Sequence, residues 1–236
     1  MLENNGQELD YSGNGEADDI LRWAMERYYP DLVLACSFQH PVLIHLAVRI
    51  RPDLRVVAID TGRLPEETYQ CAAEIERRFK IRIEWYLPDT AQLEKLLREG
   101  GPFSFRAGLE ARKKCCAVRK TEPMERALKG VKAWITGVRR DQGVTRENIP
   151  KISIDHVHGG ITKICPLADW TEQQVRDYIK KYRLPYNRLM ESGYRSIGCA
   201  CCTRPVGPGE DPRAGRWWWE NPENKECGLH VPNWTI

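Results

Sequence analysis

The stretch DLVLACSFQHPVLIHLAVRI, residues 31–50, decides the fold. Its first part, DLVLACSF, is a short apolar run of strand length, and PVLIHLAVRI carries the apolar spacing of a helix. A buried strand that runs through a few polar residues into a helix is the first half of a βαβ unit. Working outward, the alternation repeats. Upstream, ADDILRWAMERYY reads as a helix. Downstream, LRVVAID reads as a strand, PEETYQCAAEIERRFK as a helix opened by proline and acids, and RIEWYL as a strand. AQLEKLLREG is a helix stopped by glycine, EPMERALKG another helix and KAWITGV another strand. Such regular alternation implies right-handed crossovers and a parallel sheet, so the chain to about residue 165 is expected to be an open α/β domain with flanking helices.

From Pro166 the texture changes. DWTEQQVRDYIKKYRLP predicts a helix capped by Thr171, with Gln174 in the capping-box position, ending before Pro185. Beyond Tyr186 the chain is rich in Gly, Pro, Arg and Trp and loses periodicity, which predicts an irregular, functional tail. The expected organisation is a polar, flexible leader over residues 1–18, an α/β domain over 19–206, and a mobile tail over 207–236.

A chain of 236 residues buries a sizeable core without disulfides, so stability does not account for its nine cysteines. The polar, acidic start lacks the pattern of a secretory signal, and no run approaches the roughly 20 apolar residues of a membrane span. A reducing, cytoplasmic setting is therefore expected, where clustered cysteines serve metal binding or chemistry more often than disulfides. The formal net charge of +3, from 36 basic and 33 acidic residues without a long basic block, argues against a nucleic-acid-coating protein.

The cysteines sort by context. Cys36, Cys71 and Cys165 stand singly in apolar patterns and read as small buried hydrophobes. KKCCAVRK carries Cys115 and Cys116, and GCACCT carries Cys199, Cys201 and Cys202. A pair in one place and a C-x-x-C in another supply four thiolates to one centre, either zinc or an iron–sulfur cluster. Adjacent cysteines suit a single zinc ion poorly, because their sulfurs diverge, and this favours [4Fe–4S]; spacing alone leaves zinc open. Cys227, in KECGLH, stands apart, with His230 three residues on and Arg213 and Arg216 upstream. Nearby cations favour the thiolate that a nucleophile requires.

Three segments together, KKCCAVRKTEP, SIGCACCTRP and GRWWWENPENKECGLH, resemble the motifs of bacterial assimilatory adenosine 5′-phosphosulfate (APS) reductases, in the family's order. The resemblance runs from about residue 30 to the end. It implies an α/β fold related to adenine nucleotide alpha hydrolases and ATP pyrophosphatases. It also implies a [4Fe–4S] cluster on Cys115, Cys116, Cys199 and Cys202, and a nucleophile at Cys227. The implied reaction takes sulfite from APS through an S-sulfonate on Cys227, resolved by thioredoxin or a glutaredoxin-like reductant. No thioredoxin-like domain reads in the chain, so a separate reductant is expected. Lys120, Arg146, Arg213 and Arg216 stand where the family has its substrate-contacting cations.

The loop CSFQH, with Ser37 and Phe38, is expected to turn backbone N–H groups toward a ligand anion at a helix N-terminus. It lacks the Ser-Gly-rich loop of the related pyrophosphatases, which disfavours ATP. IDTGRLPEET places Asp60, Thr61, Gly62 and Arg63 near a nucleotide, at a strand end where open sheets bind ligands. His230 completes the expected substrate-binding set. Two alternatives stand: reduction of the 3′-phosphorylated nucleotide (PAPS), and a zinc-bound, non-enzymatic module. Cys201 departs from the motif, which ligates through Cys199 and Cys202. A homo-oligomer is compatible with the sequence.

Overall fold

A computed structural model describes residues 16–226, 228 and 229. Cys227 and His230 lie outside the described residues. The elements follow the expected alternation: α1 (Ala17–Tyr28), β1 (Leu32–Ala35), α2 (Val42–Ile50), β2 (Arg55–Ile59), α3 (Glu66–Phe79), β3 (Ile83–Tyr86) and α4 (Thr90–Gly100). Then come α5 (Leu109–Cys116), α6 (Glu122–Ala127), β4 (Ala133–Thr136), β5 (Ile152–Asp155), β6 (Ile161–Ile164) and α7 (Glu172–Tyr182). The capping box at Thr171 is present, its hydroxyl accepting from Gln174 N while the Gln174 side chain accepts from Thr171 N.

The six strands form one sheet in the order β3-β2-β1-β4-β6-β5, parallel except for the antiparallel edge strand β5. Strand residues alternate between two cores. Leu32 and Leu34 face the layer of α1, α2, α3 and α7, and Val33, Val57 and Trp134 face the layer of α6. The chain runs outward from β1 through β2 to β3, then returns to β4 on the other side of β1. The crevice at the carboxyl ends of β1 and β4 is therefore a topological switch point, where such sheets bind ligands.

Three elements differ from the sequence reading. β5 and β6 are not among the strands that the sequence reading identifies; each has four residues, and each gains its place from pairing across the sheet. α5 was likewise unread, because its buried face consists of Arg112, Cys115 and Cys116 instead of an aliphatic stripe. A wide π-type turn over Ala117–Thr121 follows directly and joins α5 to α6. Residues 207–226 form turns and one short 3-10 segment that pack back on the domain. Trp217 N donates to Cys202 O, and Arg204 N donates to Gly215 O.

Candidate functional site

A cavity of about 220 Å³ lies at the switch point. Its floor is the CSFQH loop after β1, Thr61 after β2, and Thr136 to Val138 at the end of β4. Lys120, Arg146, Arg213 and Arg216, distant in sequence, all line it, as do Ser37, Phe38 and Glu226. Four cations on one wall, two of them sharing the Glu226 carboxylate, favour an anionic ligand in this partly desolvated space.

Each cation has a structural reason for its place. The π-type turn after Cys116 directs Lys120 to the cavity, with Nζ 5.7 Å from the Trp217 ring centre. Arg146 grips the Glu226 carboxylate with two bonds, Nε at 2.9 Å and Nη2 at 2.8 Å. Arg213 Nη2 donates to the same carboxylate at 3.0 Å and to Lys225 O at 2.7 Å. Arg216 donates to Ser196 Oγ and Ile197 O and stacks on Trp217 at 4.6 Å. Any Cβ at Gly198 would collide with the Arg216 guanidinium, so this close approach requires glycine before Cys199.

The CSFQH loop differs from the expected anion cradle. Phe38 takes a left-handed φ of 53° and donates its amide to Cys36 Sγ at 3.3 Å, so that N–H serves the loop itself. Burial pushes the Cys36 thiol up to about 11, against hydrogen bonds from Phe38 and Ser37 that lower it. Cys36, read as a small buried hydrophobe, is partly buried against the main core and also lines the cavity; Cys71 and Cys165 are buried as read.

In the next loop only Thr61 of the four expected residues lines the cavity. Asp60 accepts from Gly62 N and the Tyr69 hydroxyl, and Gly62 sits at a φ of 67°, so both shape the turn. Arg63 points to Pro102 O and stacks on Phe105 at 5.1 Å. Thr61 O accepts from Arg119 Nη1 at 2.6 Å, and Thr61 Oγ1 accepts from Cys199 Sγ at 3.2 Å. Thr61 thus joins the cavity to the cysteine group.

Cys115, Cys116, Cys199 and Cys202 share one buried apolar cluster with Leu96, Phe105 and Trp217, and Cys201 packs at its edge. Among the described residues, no three His, Cys, Asp or Glu side chains are arranged to hold a single ion. A hydrogen bond from Cys202 and the Arg63 guanidinium draw the Cys201 thiol down to about 6, against burial; the same contact and burial push Cys202 upward.

Sequence reasoning missed three residues here. His40 lines the cavity, with burial and the Arg139 charge lowering its pKa to about 3, so the ring is neutral; a lone histidine in a loop gave no signal. Glu226 was visible only as the neighbour of Cys227. Arg112, in a run of basic residues, drew no reading from the sequence, yet it is 1% exposed.

A sheet ordered in this way, with its cavity at the switch point, defines a nucleotide-binding α/β protein of the adenine nucleotide alpha-hydrolase-like class. Residues 31–205 match the model of the phosphoadenosine phosphosulfate reductase domain. Adenosine 5'-phosphosulfate reductase of Allochromatium vinosum is 49% identical over 206 residues, covering 86% of this chain and 80% of that protein. The protein of the same name from Pseudomonas aeruginosa is 42% identical over 221 residues, covering 91% of this chain and 82% of its own. Among solved structures, phosphoadenylyl-sulfate (PAPS) reductase from Candida auris, in a phosphate complex, superposes with a TM-score of 0.68 at 26% identity, covering 82% of this chain and 91% of that one. This chain belongs to the phosphoadenosine phosphosulfate reductase family, whose APS reductase relatives are sulfur-group oxidoreductases. No helix among the described residues is long and apolar enough to cross a membrane.

Proposed function

We propose that this chain reduces APS to sulfite and AMP in sulfate assimilation, with Cys227 as nucleophile. The observation that carries the reading is the convergence of Lys120, Arg146, Arg213 and Arg216 on one switch-point cavity, with Glu226, the residue before Cys227, in its wall. A sulfur nucleophile approaching a sulfate on AMP meets two anionic groups, and cations fixed beforehand lower that barrier.

The Cys227 thiolate attacks the sulfuryl sulfur. The bond from that sulfur to the AMP phosphate oxygen breaks, and AMP leaves with the electron pair. An S-sulfonate remains on Cys227. A thioredoxin-type dithiol attacks the Cys227 sulfur, expels sulfite, and closes its own disulfide, so it supplies both electrons and returns Cys227 as a thiolate. That second step requires the Cys227 sulfur to be accessible to the reductant.

Cys115, Cys116, Cys199 and Cys202 are the residues that would hold the [4Fe–4S] cluster. The donor set fits: four thiols from two motifs meet in one apolar, water-poor cluster. When bound, the cluster supplies a cross-link between α5 and the 199–202 turn and a fixed local field. Lys120 follows Cys116 on the adjoining turn and reaches the cavity, and Thr61 touches both Cys199 and the cavity.

The reading is tested by sulfite release from APS and PAPS with reduced thioredoxin, beside Cys227→Ser and with iron and acid-labile sulfide measured on the same protein. Release from APS that vanishes in the variant is expected; equal activity of the variant would end the mechanism. Preference for PAPS would move the substrate to the 3′-phosphorylated nucleotide, a reading favoured by the likeness to the Candida auris protein. Zinc in place of iron would end the cluster assignment.

A further inference from the structure

Arg112 is a basic side chain with no place in the reaction above, and it is among the largest fully buried groups of the protein. It lies on α5, three residues before Cys115. Its guanidinium reaches the chain that leads to Cys227. Nε donates to both Glu220 carboxylate oxygens, at 2.9 and 3.1 Å, and Nη2 donates to Glu220 Oε2 at 2.8 Å. Nη2 also donates to Asn224 O at 2.8 Å, and Nη1 to Glu226 O at 3.0 Å. The guanidinium lies 4.5 Å from the Trp217 ring centre, and that of Arg216 lies 4.6 Å from the same centre. Trp217 itself holds a left-handed φ of 38°, a conformation a bulky residue keeps only when its surroundings enforce it.

Glu226 is consequently fixed at both ends. Its backbone carbonyl is held by Arg112 from the cysteine side, and its carboxylate by Arg146 and Arg213 from the cavity side. We propose that Arg112 is a positioning residue for the reaction, a buried clasp that ties the segment bearing Cys227 to the helix bearing Cys115 and Cys116. It sets where the nucleophile stands relative to the bound sulfate. The inference rests on the reading of Cys227 as nucleophile. It assigns a role to α5 that does not depend on electron transfer: the helix is the fixed post to which the catalytic segment is fastened.

Only arginine satisfies this geometry. Its planar fork reaches one carboxylate and two carbonyls at once, whereas a lysine ammonium is a point charge with a different reach. Removing Arg112 alone strands the Glu220 carboxylate, whose side chain is 7% exposed, and risks misfolding. The informative variants are therefore Arg112→Lys and the charge-free double substitution Arg112→Met with Glu220→Leu, which replaces the buried pair with apolar volume.

The test uses the full chain with its iron content measured. Displacement of a reacting group by about 1 Å costs on the order of 100-fold in rate. The double variant is expected to keep iron content, thermal midpoint and KM for APS, to lose on the order of 100-fold in the single-turnover rate of S-sulfonation at Cys227, and to exchange amide hydrogens faster over residues 217–226. Arg112→Lys is expected to fall between the two. A double variant with the wild-type S-sulfonation rate, or with wild-type exchange over 217–226, overturns the proposal. So does a loss that appears as raised KM or lost iron with the rate constant intact. Failure of the wild type to form the S-sulfonate would instead sink the assignment of Cys227, which keeps the two failures distinct.

Discussion

Replacing Glu226 with glutamine separates the energetics of the catalytic segment from those of the domain. The carboxylate is 5% exposed and accepts from Arg146 Nε at 2.9 Å, Arg146 Nη2 at 2.8 Å, Arg213 Nη2 at 3.0 Å and Thr145 Oγ1 at 3.3 Å. Taking one partner from a buried ion pair costs about 3–5 kcal/mol, because the remaining charge is left desolvated. Spread over a chain of this size, where 1 kcal/mol moves the thermal midpoint by about 2–4 °C, the full cost would lower it by roughly 6–20 °C. The structure provides a cheaper exit. Both arginines border the cavity, and beyond the buried Trp217 the segment leading to Glu226 is joined to the domain by this pair and the Arg112 hydrogen bonds, among other contacts. Local release of the segment lets water reach the guanidinium groups, and it caps the loss at the free energy of undocking. Glu226→Gln is therefore expected to lower the midpoint by only a few degrees, below about 6 °C, while amide exchange over 217–226 accelerates at least tenfold. Differential scanning fluorimetry and exchange mass spectrometry on the same sample read both. Unchanged exchange over 217–226 refutes the reasoning, as does a midpoint loss of the full size with exchange uniformly faster throughout the domain.

Three further expectations can be checked directly. Lys120→Met removes one cation aimed at the cavity and should lower kcat/KM for APS by about 100-fold or more, with iron content preserved; wild-type kinetics would remove Lys120 from the site. Cys201→Ala should leave iron and sulfide unchanged, and loss of the cluster would show that Cys201, not Cys199 or Cys202, is a ligand. Asp155 lies in a buried network with His158 Nδ1 and Trp134 Nε1, both at 2.9 Å, and these hold its pKa below the usual carboxylate value although burial opposes ionisation. A depressed folded-state pKa stabilises the protein above the unfolded value of about 3.9 and fades as pH falls through the folded one. Asp155→Asn should accordingly flatten the loss of urea stability below about pH 4; an unaltered acid limb would count against the network.

The α/β body was legible because residues 31–50 and the segments after them carry strong apolar periods, which local sequence alone expresses. β5 and β6 were not, since ISID and ITKI are four-residue strands whose identity comes from partners across the sheet. The four cavity cations were legible only through motif resemblance; no spacing in the sequence foretells that Arg146 and Arg213 share the Glu226 carboxylate. Arg112 shows the limit most clearly. In LEARKKCC it is one basic residue among three, and only the folded tail, returning over more than a hundred positions, converts it from a solvated charge into a buried clasp. The cysteines behaved oppositely. Their grouping in sequence anticipated the apolar cluster that Cys115, Cys116, Cys199 and Cys202 share, although the two motifs, far apart in the chain, meet only through the tertiary fold.

The central claim is tested most directly by mixing the iron-loaded chain with APS in the absence of any reductant and mapping the product by peptide mass spectrometry. The account predicts one AMP released per chain and the mass of one SO₃ group on the peptide containing Cys227, removed as sulfite when reduced thioredoxin is added. AMP release without that adduct, or an adduct on any of the other cysteines, contradicts it.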